Sequence, residues 1–309
     1  MSCLRLKHPW LRGAASLGIL SAVLGSRNVL TAQSARPAGK YFDRVIIVVL
    51  ENEGTRDALQ NSVFAQLSAQ AAWFSNYYSI MHPSFPNYLA LVGGSTFNRT
   101  DDHRPPPLNG ATIADRLEAK GLTWRAYAED YPGRCFLGSG AGAGKLTPKA
   151  APTELFARKH VPFLSFASIQ QSPQRCARVV NAISFMDDVR SGKLPNYSFY
   201  TPNMFNNGHD TSIDYSSRWL SGFLAKLRAA KGMERTVIVV TWDEGAGKDF
   251  KSNKVLTLLL GGVVNPGQYK NEVSHYSLLR TIEDNFGLEP LASGDREADP
   301  LPDAIWRNH

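Results

Sequence analysis

Two stretches of the chain are apolar without interruption and rich in β-branched residues, 44–50 and 236–242. Such runs, with no polar alternation, suit strands buried on both faces of a parallel sheet. Each stops abruptly on polar groups, the first at Glu51-Asn52 and the second at Asp243-Glu244. The carboxyl ends of parallel strands are where α/β folds gather ligands. Shorter runs at 122–128, 197–200 and 255–260 predict further strands, and helical spacing predicts helices over 57–74, 113–120, 179–189, 217–230 and 278–285, the last stopped by Gly287. The stretch His82-Pro83-Ser84-Phe85-Pro86-Asn87-Tyr88 leads into 89–94, apolar residues closing on two glycines, which predicts a short buried helix with Ser84 at its mouth. Free N–H groups and the dipole favour an anion there, although Ser84 as a simple N-cap fits the same pattern.

The alternation predicts an α/β fold, a central mostly parallel sheet flanked by helices, in a single domain over 41–309. Between about 130 and 178 the periodicity gives way to Gly, Pro and polar residues, so that segment is expected to be an insertion over the sheet's upper edge, in the position of a lid. Within it 141–147 superficially resembles a P-loop. It lacks the first glycine at the needed spacing and has Leu146 where Ser or Thr is required, so nucleotide binding there is rejected. The tail, 291–309, is expected to wrap the surface.

The N-terminus changes the charge balance. Arg5, Lys7 and Arg12 precede an apolar run at 13–25 too short to span a bilayer, followed by small residues up to Ala35, the pattern of a secretory signal peptide over 1–35. A retained membrane anchor is the alternative. The whole chain carries 34 basic and 27 acidic residues, +7; Arg5, Lys7, Arg12 and Arg27 leave with the signal, which gives 30 − 27 = +3. That mild surplus, with no basic run interleaved with aromatics, argues for a small anionic substrate and against a nucleic-acid-binding surface. Export to the periplasm or the medium, with no stable membrane anchor after cleavage, is the expected localisation. Of three cysteines Cys3 lies in the signal, and Cys135 and Cys176 then form an even pair for which a disulfide is the expected state in an oxidising compartment, two buried thiols being the alternative.

The strand ends and polar loops together offer Glu51, Asn52, Ser84, Asn207, His209, Asp210, Asp243, Glu244 and His275. Carboxylates, an amide oxygen and imidazoles on one rim suit a hard or borderline divalent cation, and without one the clustered acids repel. A cation would also make a serine hydroxyl reactive at neutral pH. Each histidine could instead be a hydrogen-bonded structural residue, and His82, beside Pro83, could simply shape its loop.

These residues fall in five ordered motifs: 49–52, His82-Pro83-Ser84-Phe85-Pro86-Asn87-Tyr88, 200–204 with Gly208-His209-Asp210, Thr241-Trp242-Asp243-Glu244-Gly245, and 275–284. In them, across nearly all of 42–290, the sequence resembles the phosphoesterase family of secreted acid phosphatases and bacterial phospholipases C, within the alkaline-phosphatase-like superfamily. The stretches 124–133 and 158–163 are most similar to the acid-phosphatase branch. The resemblance implies a metal-dependent hydrolase of phosphate monoesters acting through a phosphoserine, with Ser84 as nucleophile and Glu51, Asn52, Asp243 and Glu244 around one or two divalent cations. By the same resemblance His209, Asp210 and His275 line the phosphate or a second metal position, His209 and His275 being the catalytic candidates beside Ser84, and His82, Asn207, Asp210 and His160 the substrate-binding ones. The family commonly has Asp where Asn207 stands. A phosphodiesterase or phospholipase C is the alternative activity, and a noncatalytic exported binding protein is the reading from another class.

Overall fold

The computed structural model describes residues 39–147 and 153–307; the expected leader, 1–35, lies outside the described residues. The strands are β1 (Arg44–Leu50), β2 (Ala72–Tyr78), β3 (Trp124–Ala128), β4 (Gly140–Gly144), β5 (Thr153–Ala157), β6 (Val179–Asn181), β7 (Tyr197–Thr201), β8 (Thr236–Trp242), β9 (Leu258–Leu260) and β10 (Gly267–Ser274). Eight form one sheet in the order β10-β2-β9-β8-β1-β7-β3-β6, and β4 pairs with β5 alone. Every pairing in the large sheet is parallel except those of β9, antiparallel to β2 and β8. The helices are α1 (Thr55–Ala58), α2 (Ser62–Ser68), α3 (Ser84–Gly93), α4 (Ile113–Ala119), α5 (Ala167–Gln170), α6 (Pro173–Cys176), α7 (Phe185–Arg190), α8 (Ile213–Arg228), α9 (His275–Phe286) and α10 (Ser293–Glu297). The expected mostly parallel α/β sheet is therefore the architecture found.

The central strands match the sequence pattern because they have no solvent face. All of β8 is buried, and β1 is buried from Val45 onward. They pair in register with Leu50 opposite Trp242, so Glu51 and Asp243 leave the sheet side by side. The periphery departs from expectation where burial is one-sided. The segment 57–74 is α1 and α2 followed by the start of β2, whose alternating burial belongs to a strand with one covered face. Strand β10 has no apolar run and only Val273 buried, so nothing in its composition announced it. The expected helix at 179–189 begins as β6, passes through a 3-10 turn at Ala182–Ser184 and becomes α-helical at Phe185, and the expected strand at 255–260 is regular only over Leu258–Leu260.

Two more corrections concern the segments taken for coverings. The second half of 130–178 enters the core: Val161, Phe163, Leu164 and Phe166 are buried, and Phe163 stacks on Trp124 with ring centres 4.9 Å apart. The tail buries Leu301, Ile305 and Trp306, the last stacked on Tyr41 at 5.1 Å. Cys135 and Cys176 are joined in a disulfide, Cα atoms 5.5 Å apart and 41 residues distant along the chain. Replacing both by alanine is expected to lower the unfolding free energy by about 4 kcal/mol, the loop-closure entropy returned to the unfolded chain; a urea titration with an unchanged midpoint would show that the bridge constrains nothing.

Glu283 on α9 is fully buried beside Asp295. Burial first, then the Asp295 charge, push its carboxyl up to about 9 from 4.5. The folded state therefore holds a proton that the unfolded state has released, and stability falls as pH rises from about 4.5 to about 9. Glu283→Gln, which mimics the protonated form, is expected to leave the melting temperature near pH 4 unchanged and to raise it by several degrees at pH 8–9. Parallel melting curves across that range would refute the assignment. Among the described residues no helix is long and apolar enough to cross a membrane.

Candidate active site

The rim at the carboxyl ends of β1, β2, β7, β8 and β10 carries the candidate chemistry. Helix α3 follows β2, and its entry is fixed by Asn87, whose Oδ1 accepts from the Ile80 and Met81 N–H groups at 2.8 and 3.1 Å while Nδ2 donates to the Met81 and Pro83 carbonyls at 2.7 and 3.0 Å. Pro86 sits in the first turn, where its missing N–H leaves no bond unmade. Pro83 is the N-cap residue and Ser84 the first helical one, and no side chain caps the helix. Ser84 Oγ turns instead toward acids, 3.2 Å from Glu51 Oε2, 3.2 Å from Glu244 Oε1 and 3.5 Å from Asn52 Oδ1. The simple N-cap role does not describe it. At the other end Gly94 adopts the left-handed conformation, φ 64°, and a Cβ there would lie 2.0 Å from Asp295 Oδ1.

Glu51, Asn52, Asp243 and Glu244 close around that hydroxyl. Asn52 has φ 49°, a left-handed conformation that asparagine tolerates better than most residues, and its backbone N–H donates to Asp243 Oδ1 at 3.1 Å. Its amide oxygen lies 3.2 Å from Glu51 Oε2, 3.2 Å from Asp243 Oδ1 and 3.3 Å from Glu244 Oε1. The Asn52 amide oxygen thus has an oxygen of each of the three acids and Ser84 Oγ as neighbours at 3.2–3.5 Å, and Ser84 Oγ has those of Glu51, Glu244 and Asn52. Burial, then Asp243's charge, push Glu51 well above the carboxylate range; burial, then Glu244, raise Asp243 to about 7. Asp243 Oδ2 is buried with no hydrogen-bond partner.

Two arrangements relieve such a cluster. Reversing the Asn52 amide turns its NH2 toward the three acids and makes three hydrogen bonds. Alternatively a cation sits among the oxygens. Oxygen ligands held at roughly 2.1–2.4 Å in octahedral order lie about 3.0–3.4 Å from their neighbours, the spacing seen here. Among the described residues no three Asp, Glu, His or Cys side chains form a metal-holding group by themselves, so a cation would need the mixed set, with the Asn52 amide and the Ser84 hydroxyl beside the acids. The donor set, all oxygen, and the orphaned Asp243 Oδ2 fit a hard divalent ion.

The histidines separate into distinct places. His82 bonds Glu244 Oε2 through Nδ1 and the Phe250 carbonyl through Nε2 at 3.0 Å. His160 is fully buried, stacks on Tyr88 at 5.0 Å and brings Nε2 to 3.2 Å from Glu51 Oε1, but off the hydrogen-bond direction, so that nitrogen has no hydrogen-bond partner. Burial, then Lys159, hold it well below the usual imidazole range. His275, expected as an acid–base group, is fully buried and engaged at both ring nitrogens, with Tyr77 Oη at 3.1 Å and the Asp243 carbonyl at 2.8 Å. Burial lowers it to about 4. It positions Asp243 and has no free nitrogen to offer a substrate. His209 is exposed after β7, with Nδ1 2.6 Å from Asp210 Oδ1, and Asp210 Oδ2 accepts from Thr153. Asn207 holds its own turn together: its Oδ1 accepts the His209 N–H at 2.8 Å, Nδ2 faces Met204 Sδ at 3.8 Å, and its carbonyl accepts from Glu51 N at 2.9 Å.

Tyr88, Lys159 and Asp102 were not singled out by sequence. Tyr88 Oη bonds Glu51 Oε1, and its position four residues after Ser84 put it on the same helix face, a signal that was available. Asp102 accepts from Phe85 N–H at 2.9 Å and from Lys159 Nζ at 2.6 Å, a link between distant loops that only folding creates.

The chain matches the Phosphoesterase family over residues 56–289. It is 36% identical over 270 residues to a probable acid phosphatase of Kluyveromyces lactis, covering 85% of this chain and 62% of that one. It is 33% identical over 308 residues to the phosphatidylinositol-3-phosphatase of Mycobacterium tuberculosis, covering 96% and 94%. The chain thus spans about three fifths of the length of the fungal relatives it matches. Among solved structures, a protein in the alkaline phosphatase superfamily from Vibrio parahaemolyticus superposes with a TM-score of 0.56 at 13% identity, covering 83% of this chain and 69% of that one, a likeness of fold.

Proposed function

The chain belongs to the Phosphoesterase family, and on that footing we propose that it hydrolyses phosphate monoesters, with Ser84 as nucleophile and a divalent cation held by Glu51, Asn52, Asp243 and Glu244. The observation that carries this reading is the placement of Ser84 Oγ at 3.2 Å from two buried carboxylates at the positive end of α3. When bound, a divalent cation supplies charge stabilisation for the phosphoryl oxygens and favours the ionised hydroxyl. The chain's own part begins with the Ser84 proton, which points to Glu51 Oε2 or Glu244 Oε1, while His82 fixes Glu244 from its other oxygen. Attack by Oγ on phosphorus forms a phosphoserine and expels the alcohol, and water then releases phosphate. His209, exposed and oriented by Asp210, is the group placed to protonate the departing alkoxide. Tyr88 and His160 close the buried side of Glu51 against water, and His275 fixes the Asp243 backbone.

The names of the relatives favour monoesters. Fungal acid phosphatases and a mycobacterial phosphatidylinositol-3-phosphatase both act at terminal phosphates by those names, the second matched along almost its whole length. Export is part of the proposal, supported by the basic and apolar leader in the sequence and by the Cys135–Cys176 disulfide. Assaying the purified protein with p-nitrophenyl phosphate and bis-p-nitrophenyl phosphate tests the reading. Turnover of the monoester at least about 100-fold above the diester is expected; the reverse preference would make it a phosphodiesterase, and turnover of neither with any divalent ion would leave a binding protein.

A further inference from the structure

Beside the first turn of α3 lies a cavity of about 140 Å³, lined by Phe85, Asp102, His103, Arg104, Arg158 and Lys159 among others. It begins one residue from Ser84. A cavity of about 150 Å³ holds a six-membered ring, so this one has room for a carboxylate or phosphate group. Its charges do not balance. Lys159 is paired with Asp102, and Asp102's other oxygen already accepts from Phe85 N–H. His103 turns to Asp101, which also holds Arg99. Arg104 is exposed and has no acidic partner among the described residues. Arg158 is 97% buried, and its guanidinium makes one hydrogen bond among the described residues, from Nη1 to the Leu164 carbonyl at 3.1 Å. Among the described residues no carboxylate pairs with it. A buried guanidinium without a counter-charge is unfavourable, and a second cation beside it makes it more so. Burial, then Arg104's charge, lower Arg158 to about 10.

We propose that this cavity receives a second anionic group, a carboxylate or phosphate carried by the alcohol part of the ester cleaved at Ser84. The inference rests on the hydrolase reading and adds to it a substrate class: phosphomonoesters whose leaving alcohol is itself charged. Arg104 and Arg158 are then specificity residues, with Arg158 supplying the planar donor fork that suits an oxyanion and Arg104 adding charge at the mouth. Lys159, in the same lining, is already held by Asp102 and so leaves the two arginines as the unpaired charges.

The test compares 3-phosphoglycerate with glycerol 3-phosphate, which differ in a carboxylate against a neutral hydroxymethyl group. The wild type is expected to favour the anionic ester in kcat/KM by about tenfold, and Arg104→Glu to erase that preference, read as the ratio of the two esters within each protein so that any effect common to both cancels. Arg104 is exposed, so the variant should fold as the wild type does; Arg158→Met, checked for an unchanged melting curve, should act in the same direction. Isothermal titration with 3-phosphoglycerate supplies the independent arm. If neither ester is turned over yet binding weakens about tenfold in Arg104→Glu, the hydrolase reading fails and the anion pocket stands. Equal preference and equal affinity in wild type and Arg104→Glu would overturn the pocket. Phosphatidylglycerol vesicles added to the assay distinguish the source of the anion: Arg104-dependent inhibition assigns the pocket to a lipid headgroup, and its absence to a soluble ester.

Discussion

Ser84→Ala is expected to lower the turnover of a phosphomonoester by about 10⁴-fold or more, with the melting temperature within a few degrees of the wild type. The size follows from the role: a nucleophile that forms the covalent intermediate has no substitute within reach, because the groups around it are carboxylates and an amide. The small effect on stability follows from what Oγ does in the fold. It caps nothing, and the entry of α3 is held by Asn87 and by Phe85 N–H on Asp102. Single-turnover assays with radiolabelled substrate should trap label on the wild-type protein at acid quench and none on the variant. A variant within about tenfold of wild-type activity would remove Ser84 from the chemistry.

Exhaustive chelation is expected to reduce turnover at least about 100-fold, with recovery on return of one divalent ion. Three buried acids gathered on the Asn52 amide oxygen, Glu51 and Asp243 raised by burial and then by a neighbouring acid's charge, repel one another unless a proton or a cation intervenes. The same ion should raise the melting temperature, since it binds the folded cluster and has no comparable site in the unfolded chain. Asp243→Asn is expected to lose both the activity and the ion-dependent stabilisation, whereas the exposed Asp299→Asn should keep both. Full activity in protein shown by elemental analysis to be free of metal would end the cation reading and leave the reversed Asn52 amide as the arrangement of the cluster.

The legible part of this protein was the part with one dominant force. Strands β1 and β8 are buried on both faces, so their composition is uniform, and the residues that end them, Glu51 with Asn52 and Asp243 with Glu244, stand out as polar against apolar. The helix behind Ser84 was legible from its glycine stop, and Gly94 does take the left-handed turn. Strand β10 was not legible, because an edge strand with mostly exposed side chains is specified by pairing with β2 and not by its own apolarity. His160 and Phe163 lie in a stretch whose Gly- and Pro-rich neighbourhood looks like a covering loop, yet they are buried, one against Tyr88 and the other against Trp124.

The kinds of groups at the rim and the class of fold follow from local composition: which runs have no polar face, and which residues follow them. What each group can do is set only once the chain has folded. His275 and His209 read alike in the sequence, but folding closes both nitrogens of the first behind Asp243 and leaves the second exposed beside Asp210. Arg158 reads as one of many basic residues until burial removes most of its solvent and leaves it, among the described residues, with no acid beside it. Burial, distance and charge pairing are properties of residues far apart in the chain, so they come into being only when the chain has folded.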